Sequence, residues 1–284
     1  MGSLEILKRQ LHVNERPARA GAPAPRSLLL AHGYGCDQSM WRLLLPLLQD
    51  HHCISFDFPG TGAGGPAAYD PVRHASLQGY ADTVVDLVAA LDRPGLVFVG
   101  HSVSAMIGAL AARSAPSAFA ELVMLCPSPC YRNDGPRYHG GFEPEQLTGL
   151  LQSLSDNHAG WSHAVAPMIM GNADRPALSA ELAGAFCAMD PTIALRWARA
   201  TFLSDLRPVL PQVDLPSLVL HCREDAIAPP EVGRYTAAHL PQGRLAWLEA
   251  SGHCPQLSHP AELARVLLAE LALPDSSCDA AARP

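Results

Sequence analysis

Along this chain, short apolar runs of strand length alternate with longer segments whose apolar residues recur near a helical period. The runs at 27–31, 53–57, 96–100, 122–126, 217–221 and 245–249 are predicted to be strands. Segments 78–91, 103–113, 231–240 and 260–271 are predicted to be helices that cover them. Strand followed by helix, repeated in this order, is the pattern of βα units. An α/β protein with a mostly parallel sheet flanked by helices is therefore expected.

The alternation stops near Tyr131 and resumes after Arg207 with LPSLVLHC. Between these points EQLTGLLQSLSDNHAGWSHAVAPMIM, ELAGAFCAM and IALRWARATFL all carry helical periodicity. An all-helical insertion after which strands return reads as a cap on one domain. The expected organisation is a single domain over 1–273, with its core in 1–130 and 208–273 and a helical lid over 131–207. The small, polar segment 274–284 is expected to be a disordered tail.

Composition adds exclusions. Hydrophobic residues make up 48% of the chain and charged ones 17%, which suits a globular protein long enough to bury a core. A net charge of −7 with no long basic run argues against nucleic acid as a partner, because that binding depends on Lys and Arg neutralising phosphates. The start, MGSLEILKRQLHVNERP, has no apolar stretch followed by a small-residue cleavage site, and apolar runs elsewhere are broken well short of a membrane span. A cytoplasmic monomer with no membrane partner is expected. The eight cysteines make no CxxC pair and are read as reduced thiols, several of them buried. The thirteen histidines show neither HExxH nor a recognised zinc spacing, so no metal and no cofactor are expected.

The candidate chemistry begins at LVFVGHSVSAMIGALAA, where a strand runs through Gly100-His101-Ser102-Val103-Ser104 into a helix. A serine on a sharp strand-to-helix turn is the nucleophile-elbow context, although the last motif position holds Ser104 in place of glycine. A serine hydroxyl is a poor nucleophile at neutral pH and needs a base, which in turn needs a group holding its tautomer. In α/β-hydrolases these follow in the order Ser, Asp or Glu, His. Asp225, in LVLHCREDAIAPP, and His253, in LEASGHCPQLSHP, stand just past successive strands, where open α/β sheets place their sites.

Neighbouring residues compete for these roles. Asp225 is preferred to Glu224 because it precedes the AIAPP turn, and His253 to His259 because Ser258-His259-Pro260 reads as a helix start. His101 is read as structural. The remaining need is an oxyanion hole. One donor is expected to be the N–H of Val103, and the other to come from His32-Gly33-Tyr34-Gly35, with Tyr34 N–H preferred.

With these residues in place the chain resembles the RsbQ stress-regulatory hydrolase and its relatives, the strigolactone and karrikin receptors of plants. The resemblance covers nearly the whole chain and rests on AHGYGCDQSMW, FDFPGTG, GHSVSAMIG, PSPCYRNDG, YHGGFEPEQLTGLL, FLSDLR and GHCPQLSHP. It extends to Ser104. It implies an α/β-hydrolase fold with a four-helix, V-shaped lid over a deep apolar pocket, and slow hydrolysis of small esters or butenolide lactones. Carried over, Tyr34 and Val103 are the oxyanion donors, and Tyr131, Trp161 and Phe202 are pocket-wall candidates. The family often has phenylalanine where this chain has Tyr34, and a phenol there can donate to substrate and alter ligand preference.

The expected function is that of a serine hydrolase acting on a small apolar ester or lactone by acyl transfer. The alternative, also drawn from the resemblance, is a signalling protein in which ligand binding or cleavage controls a partner protein. A haloalkane dehalogenase needs a carboxylate where Ser102 stands, whereas cofactor-free peroxidase and carbon–carbon hydrolase chemistry use the same triad.

Overall fold

The computed structural model describes residues 3–272. The first half of the core runs α1 (Ser3–Gln10), β1 (Asn14–Arg16), β2 (Ser27–Ala31), β3 (His52–Phe56), α2 (Leu77–Leu91), β4 (Leu96–His101), α3 (Val103–Ser114) and β5 (Phe119–Leu125). Four helices follow, α4 (Pro144–Asp156), α5 (His158–Met170), α6 (Pro176–Ala188) and α7 (Pro191–Phe202). The core then closes with β6 (Ser217–Glu224), α8 (Pro230–His239), β7 (Gly243–Ser251), α9 (Pro255–Ser258) and α10 (Pro260–Leu271). The strands form one sheet in the order β1-β3-β2-β4-β5-β6-β7. Only the β1–β3 pair is antiparallel.

Both faces of this sheet are buried. On β2, Leu28 and Leu30 enter the apolar layer that holds Trp41 and Leu267, while Leu29 and Ala31 enter the one that holds Tyr80, Val84 and Ile107. Side chains alternate across a strand, so two covered faces require apolar residues at consecutive positions. That is why the central strands read as unbroken apolar runs.

The departures from expectation have physical causes. β1 carries Asn14, Glu15 and Arg16, all exposed, and so has no apolar pattern to find. β5 begins at Phe119, earlier than its apolar run, because Ala120 and Glu121 interrupt that run. Glu121 is nevertheless only 2% exposed. Its carboxylate accepts hydrogen bonds from Arg26 Nη1 at 2.7 Å and Arg244 Nη2 at 3.0 Å, the pairing that makes a buried charge tolerable.

The helices α4 to α7 leave the core after β5 and return before β6. Arg207 joins the two ends of this excursion: it donates to Asp205 at 2.6 Å and to Asp134 at 3.2 Å, and lies 4.8 Å from the ring centre of Tyr138. Deeper in, fully buried Trp197 of α7 stacks on Tyr80 of α2 with ring centres 4.9 Å apart. The excursion is thus closed at its base by a charged cluster and bolted to the core by an aromatic one. Among the described residues no single helix is long and apolar enough to cross a membrane. The seven described cysteines are free thiols, and six are buried. Segment 274–284, expected to be disordered, and Cys278 lie outside the described residues.

Replacing Glu121 by alanine removes the shared acceptor of two partly buried arginines. Urea denaturation of Glu121→Ala is expected to show a loss of about 1.5–3 kcal/mol, the range for hydrogen bonds to charged groups. An unchanged midpoint would show that the cluster contributes nothing to stability.

Candidate active site

Ser102 alone links β4 to α3, with φ 57° and ψ −124°, outside the regions that side-chain-bearing residues favour. The turn closes only because Gly100 lacks a side chain: a Cβ there would stand 2.6 Å from the Ser104 backbone. This sharp turn raises the serine hydroxyl at the carboxyl edge of the sheet. Ser104 is fully buried, and its hydroxyl donates to the His32 carbonyl, binding α3 to the loop after β2. Serine in place of glycine thus adds a bond to this turn.

Two further strand ends meet this one. Asp225, directly after β6, accepts the N–H groups of Ile227 at 2.8 Å and Ala228 at 3.0 Å on one carboxylate oxygen. Its other oxygen accepts from His253 Nδ1 at 2.7 Å, and His253 Nε2 accepts from the Ser102 hydroxyl at 2.7 Å. All three side chains are buried. The adjacent alternative, Glu224, is exposed, while His259 stands at the N-cap position of α10 with its Nδ1 2.9 Å from Ser258 Oγ. His253 is held from both sides as well. Its N–H donates to the Ile169 carbonyl of α5 at 2.9 Å, and its carbonyl accepts from His101 Nε2 at 2.7 Å.

The electrostatics follow from burial and pairing. Burial raises the Asp225 pKa, but the His253 ring beside it and the hydrogen bonds it accepts prevail and hold the carboxyl below its ordinary range. Cys126 lies against this pair, with its sulfur within 4.8 Å of ligating atoms of both residues. Burial, followed by its contact with Cys222, pushes that thiol well above its ordinary range. It therefore remains neutral and adds no second negative charge. Burial, with His253 nearby, drives His101 down to about 3, which keeps it uncharged as a donor to His253.

Above Ser102 lies a small cavity of about 40 Å³. Its walls include Tyr34, Tyr131, Leu182, Phe186, Phe202 and Ile227. Tyr131 stands beside the serine; burial pushes its phenol up to about 12, and the Ser102 hydroxyl offsets part of that rise. Trp161, expected in the wall, is set behind it, packed against Phe186 at 5.6 Å between ring centres and edge-on to Tyr34 at 6.3 Å. Leu182 and Phe186, which take its place, lie four residues apart on α6, so helical spacing alone puts them on one face. Thr201 also lines the cavity and was not singled out from the sequence. Among the described residues its buried hydroxyl has no hydrogen-bond partner.

The N–H groups of Tyr34 and Val103, the two expected oxyanion donors, have no hydrogen-bond partner among the described residues. The Tyr34 phenol departs from expectation. It does not wait for substrate but donates to the Ala194 carbonyl of α7 at 3.0 Å.

Known proteins share this sequence pattern and fold. The profile of the Alpha/beta hydrolase family matches residues 28–266. A strigolactone esterase of Arabidopsis thaliana is 38% identical over 244 residues, covering 85% of this chain and 91% of the relative. A karrikin insensitive 2 receptor of Petunia hybrida is 36% identical over 245 residues, covering 86% and 90%. The solved structure of a hydrolase from Oleispira antarctica superposes with a TM-score of 0.90 at 35% identity, covering 95% of this chain and 97% of the other.

Burial lowers the pKa of His32, His74, His101 and His221, so below the ordinary value of 6.5 the unfolded chain binds protons that the folded chain does not. Stability from these groups is then present above pH 6.5 and lost as pH drops; for His101, whose folded value lies far below, the loss is about 1.4 kcal/mol per pH unit. For His101 the window runs from 6.5 down to about 3, and the lowered Asp225 adds to the loss below its ordinary value of 3.8. Thermal melts between pH 7.5 and pH 4.5 are expected to show a steady decline; a flat profile would count against these burial effects.

Proposed function

The chain belongs to the alpha/beta hydrolase family, in the branch of the strigolactone esterases and karrikin receptors, and is a carboxylic ester hydrolase; we propose that it cleaves small apolar esters or butenolide-like lactones through Ser102. The observation that carries this reading is the unbroken relay from Ser102 through His253 to Asp225, with both links at 2.7 Å, beneath a largely apolar cavity.

In this mechanism Ser102 Oγ attacks the carbonyl carbon while His253 Nε2 takes the hydroxyl proton. Asp225 keeps the other proton on His253 Nδ1 and stabilises the imidazolium that forms. The carbonyl oxygen becomes an oxyanion held by the N–H groups of Tyr34 and Val103, which are free to donate. His253 returns its proton to the departing oxygen, the bond to that oxygen breaks, and an acyl-serine remains. For a lactone the freed hydroxyl stays tethered to the acyl group, and a single hydroxy acid leaves in the second step. Water, deprotonated by His253, then attacks the acyl carbon and releases the acid, restoring Ser102. The apolar walls suit a ligand with few charged groups, since a buried charge without a partner is costly.

A second reading makes cleavage a signal to a partner protein. It draws support from the receptor among the relatives and from the His253 N–H bond to α5, which joins the catalytic loop to the helices outside the core. On this reading the protein is a monomer until it engages that partner.

Intact-mass spectrometry over time, after mixing with an activated acyl ester or a butenolide analogue, tests both readings. A Ser102-dependent adduct that clears quickly is expected of a turnover enzyme, and one that lingers is expected of a receptor-like protein. Ser102→Ala is expected to lose activity to background, on the order of 10⁶-fold for an efficient hydrolase. Turnover at the original rate in that variant would overturn the assignment. Asp225→Asn should fold and yet lose on the order of 10⁴-fold in kcat, because an amide no longer selects the His253 tautomer; steady-state kinetics at neutral pH measure it.

A further inference from the structure

The oxyanion loop carries glycine on both sides of its donor. Tyr34 is flanked by Gly33 and Gly35, and Gly35 sits at φ 73°, where an added Cβ would also stand 2.3 Å from the Phe186 ring. The peptide that carries the Tyr34 N–H is held at its carbonyl end, where Gly33 O accepts from His32 Nδ1 at 2.9 Å and Cys36 N–H at 3.4 Å, and charge stabilisation depends on the donor end being fixed as well before reaction.

The side chain of Tyr34 adds a second hold, to the helices outside the core. Its ring meets Trp161 of α5, Phe186 of α6, and Trp197 and Phe202 of α7, with ring centres between 5.6 Å and 6.3 Å. Its hydroxyl donates to Ala194 O at 3.0 Å. That carbonyl lies near the start of α7, a turn capped by Asp190, which accepts from the N–H groups of Thr192 and Ile193. The same turn presses on the core, where a Cβ at Gly60 would stand 2.6 Å from Ile193. The acceptor is thus among the better fixed parts of the four-helix excursion. Ring packing alone permits sliding and rotation, but a hydroxyl bonded to a fixed carbonyl does not.

We propose that the Tyr34 hydroxyl is a positioning group for the oxyanion hole, latching the loop that carries the Tyr34 N–H to α7. The inference rests on the serine-esterase reading. It assigns the phenol a role that a phenylalanine at this position cannot fill, and it makes the competence of the oxyanion hole depend on where α7 sits. Displacement of α7, by a bulky ligand or by a partner, releases the loop and slows acylation without touching Ser102, His253 or Asp225.

Tyr34→Phe keeps the ring and the backbone donor and removes only the latch. With an activated acyl ester, kcat is expected to fall about two- to tenfold, the span of one hydrogen bond, while KM stays the same. Hydrogen–deuterium exchange of the same variant is expected to quicken at residues 33–36 and 191–195. Wild-type kcat, or a change confined to KM, overturns the proposal. A fall in kcat with unchanged exchange also overturns it, because the hydroxyl would then be acting on substrate. Ser102→Ala, run in parallel, separates the two ideas: full activity there sinks the serine reading, whereas loss there with wild-type behaviour of Tyr34→Phe sinks the latch alone.

Discussion

The backbone at Ser102 sits at φ 57°, a conformation of a residue with a side chain that persists only when its surroundings impose it. Here the imposition comes from three directions. β4 is flanked in the sheet by β2 and β5, so the strand leading into the turn cannot drift. Gly100 lets that strand meet the Ser104 backbone, and the Ser104 hydroxyl fastens the start of α3 to the His32 carbonyl. The Ser102 N–H itself donates to Leu125 at the end of β5. The same few bonds that hold the serine upright also fix the loop facing it, so nucleophile and oxyanion donor share one scaffold.

The catalytic base is held on a comparable principle, with its two nitrogens given separate tasks. One accepts from the serine while the other is committed to Asp225, and Asp225 is itself pinned by two backbone N–H groups. Such a relay works only if nothing nearby carries a stray charge. The neutral thiol of Cys126 and the uncharged imidazole of His101 meet that condition through burial.

The serine, the acid and the base were legible because each follows a strand in an order that one mechanism demands, and because competitors had local explanations. Glu224 and His259 could be set aside on turn and cap chemistry alone. The cavity wall was not legible to the same depth. Helices outside the sheet such as α6 have apolar residues on most faces, so periodicity does not say which face meets the cavity, and Trp161 was expected one layer too far forward. Glu121 interrupted an apolar run and hid the start of β5, since its partners are far off in sequence. The phenol of Tyr34 bonds a carbonyl 160 residues away, a contact with no local signature.

The four helices beyond the sheet are often pictured as a cover that opens and shuts over a finished centre. In this molecule they hold part of the centre in place, for the Ile169 carbonyl accepts the His253 N–H and the Ala194 carbonyl accepts the Tyr34 hydroxyl. They are consequently not an exchangeable module. Grafting a foreign lid onto this core to change its substrate range would have to reproduce backbone acceptors at both places. Selectivity and catalytic competence are in that sense inherited together.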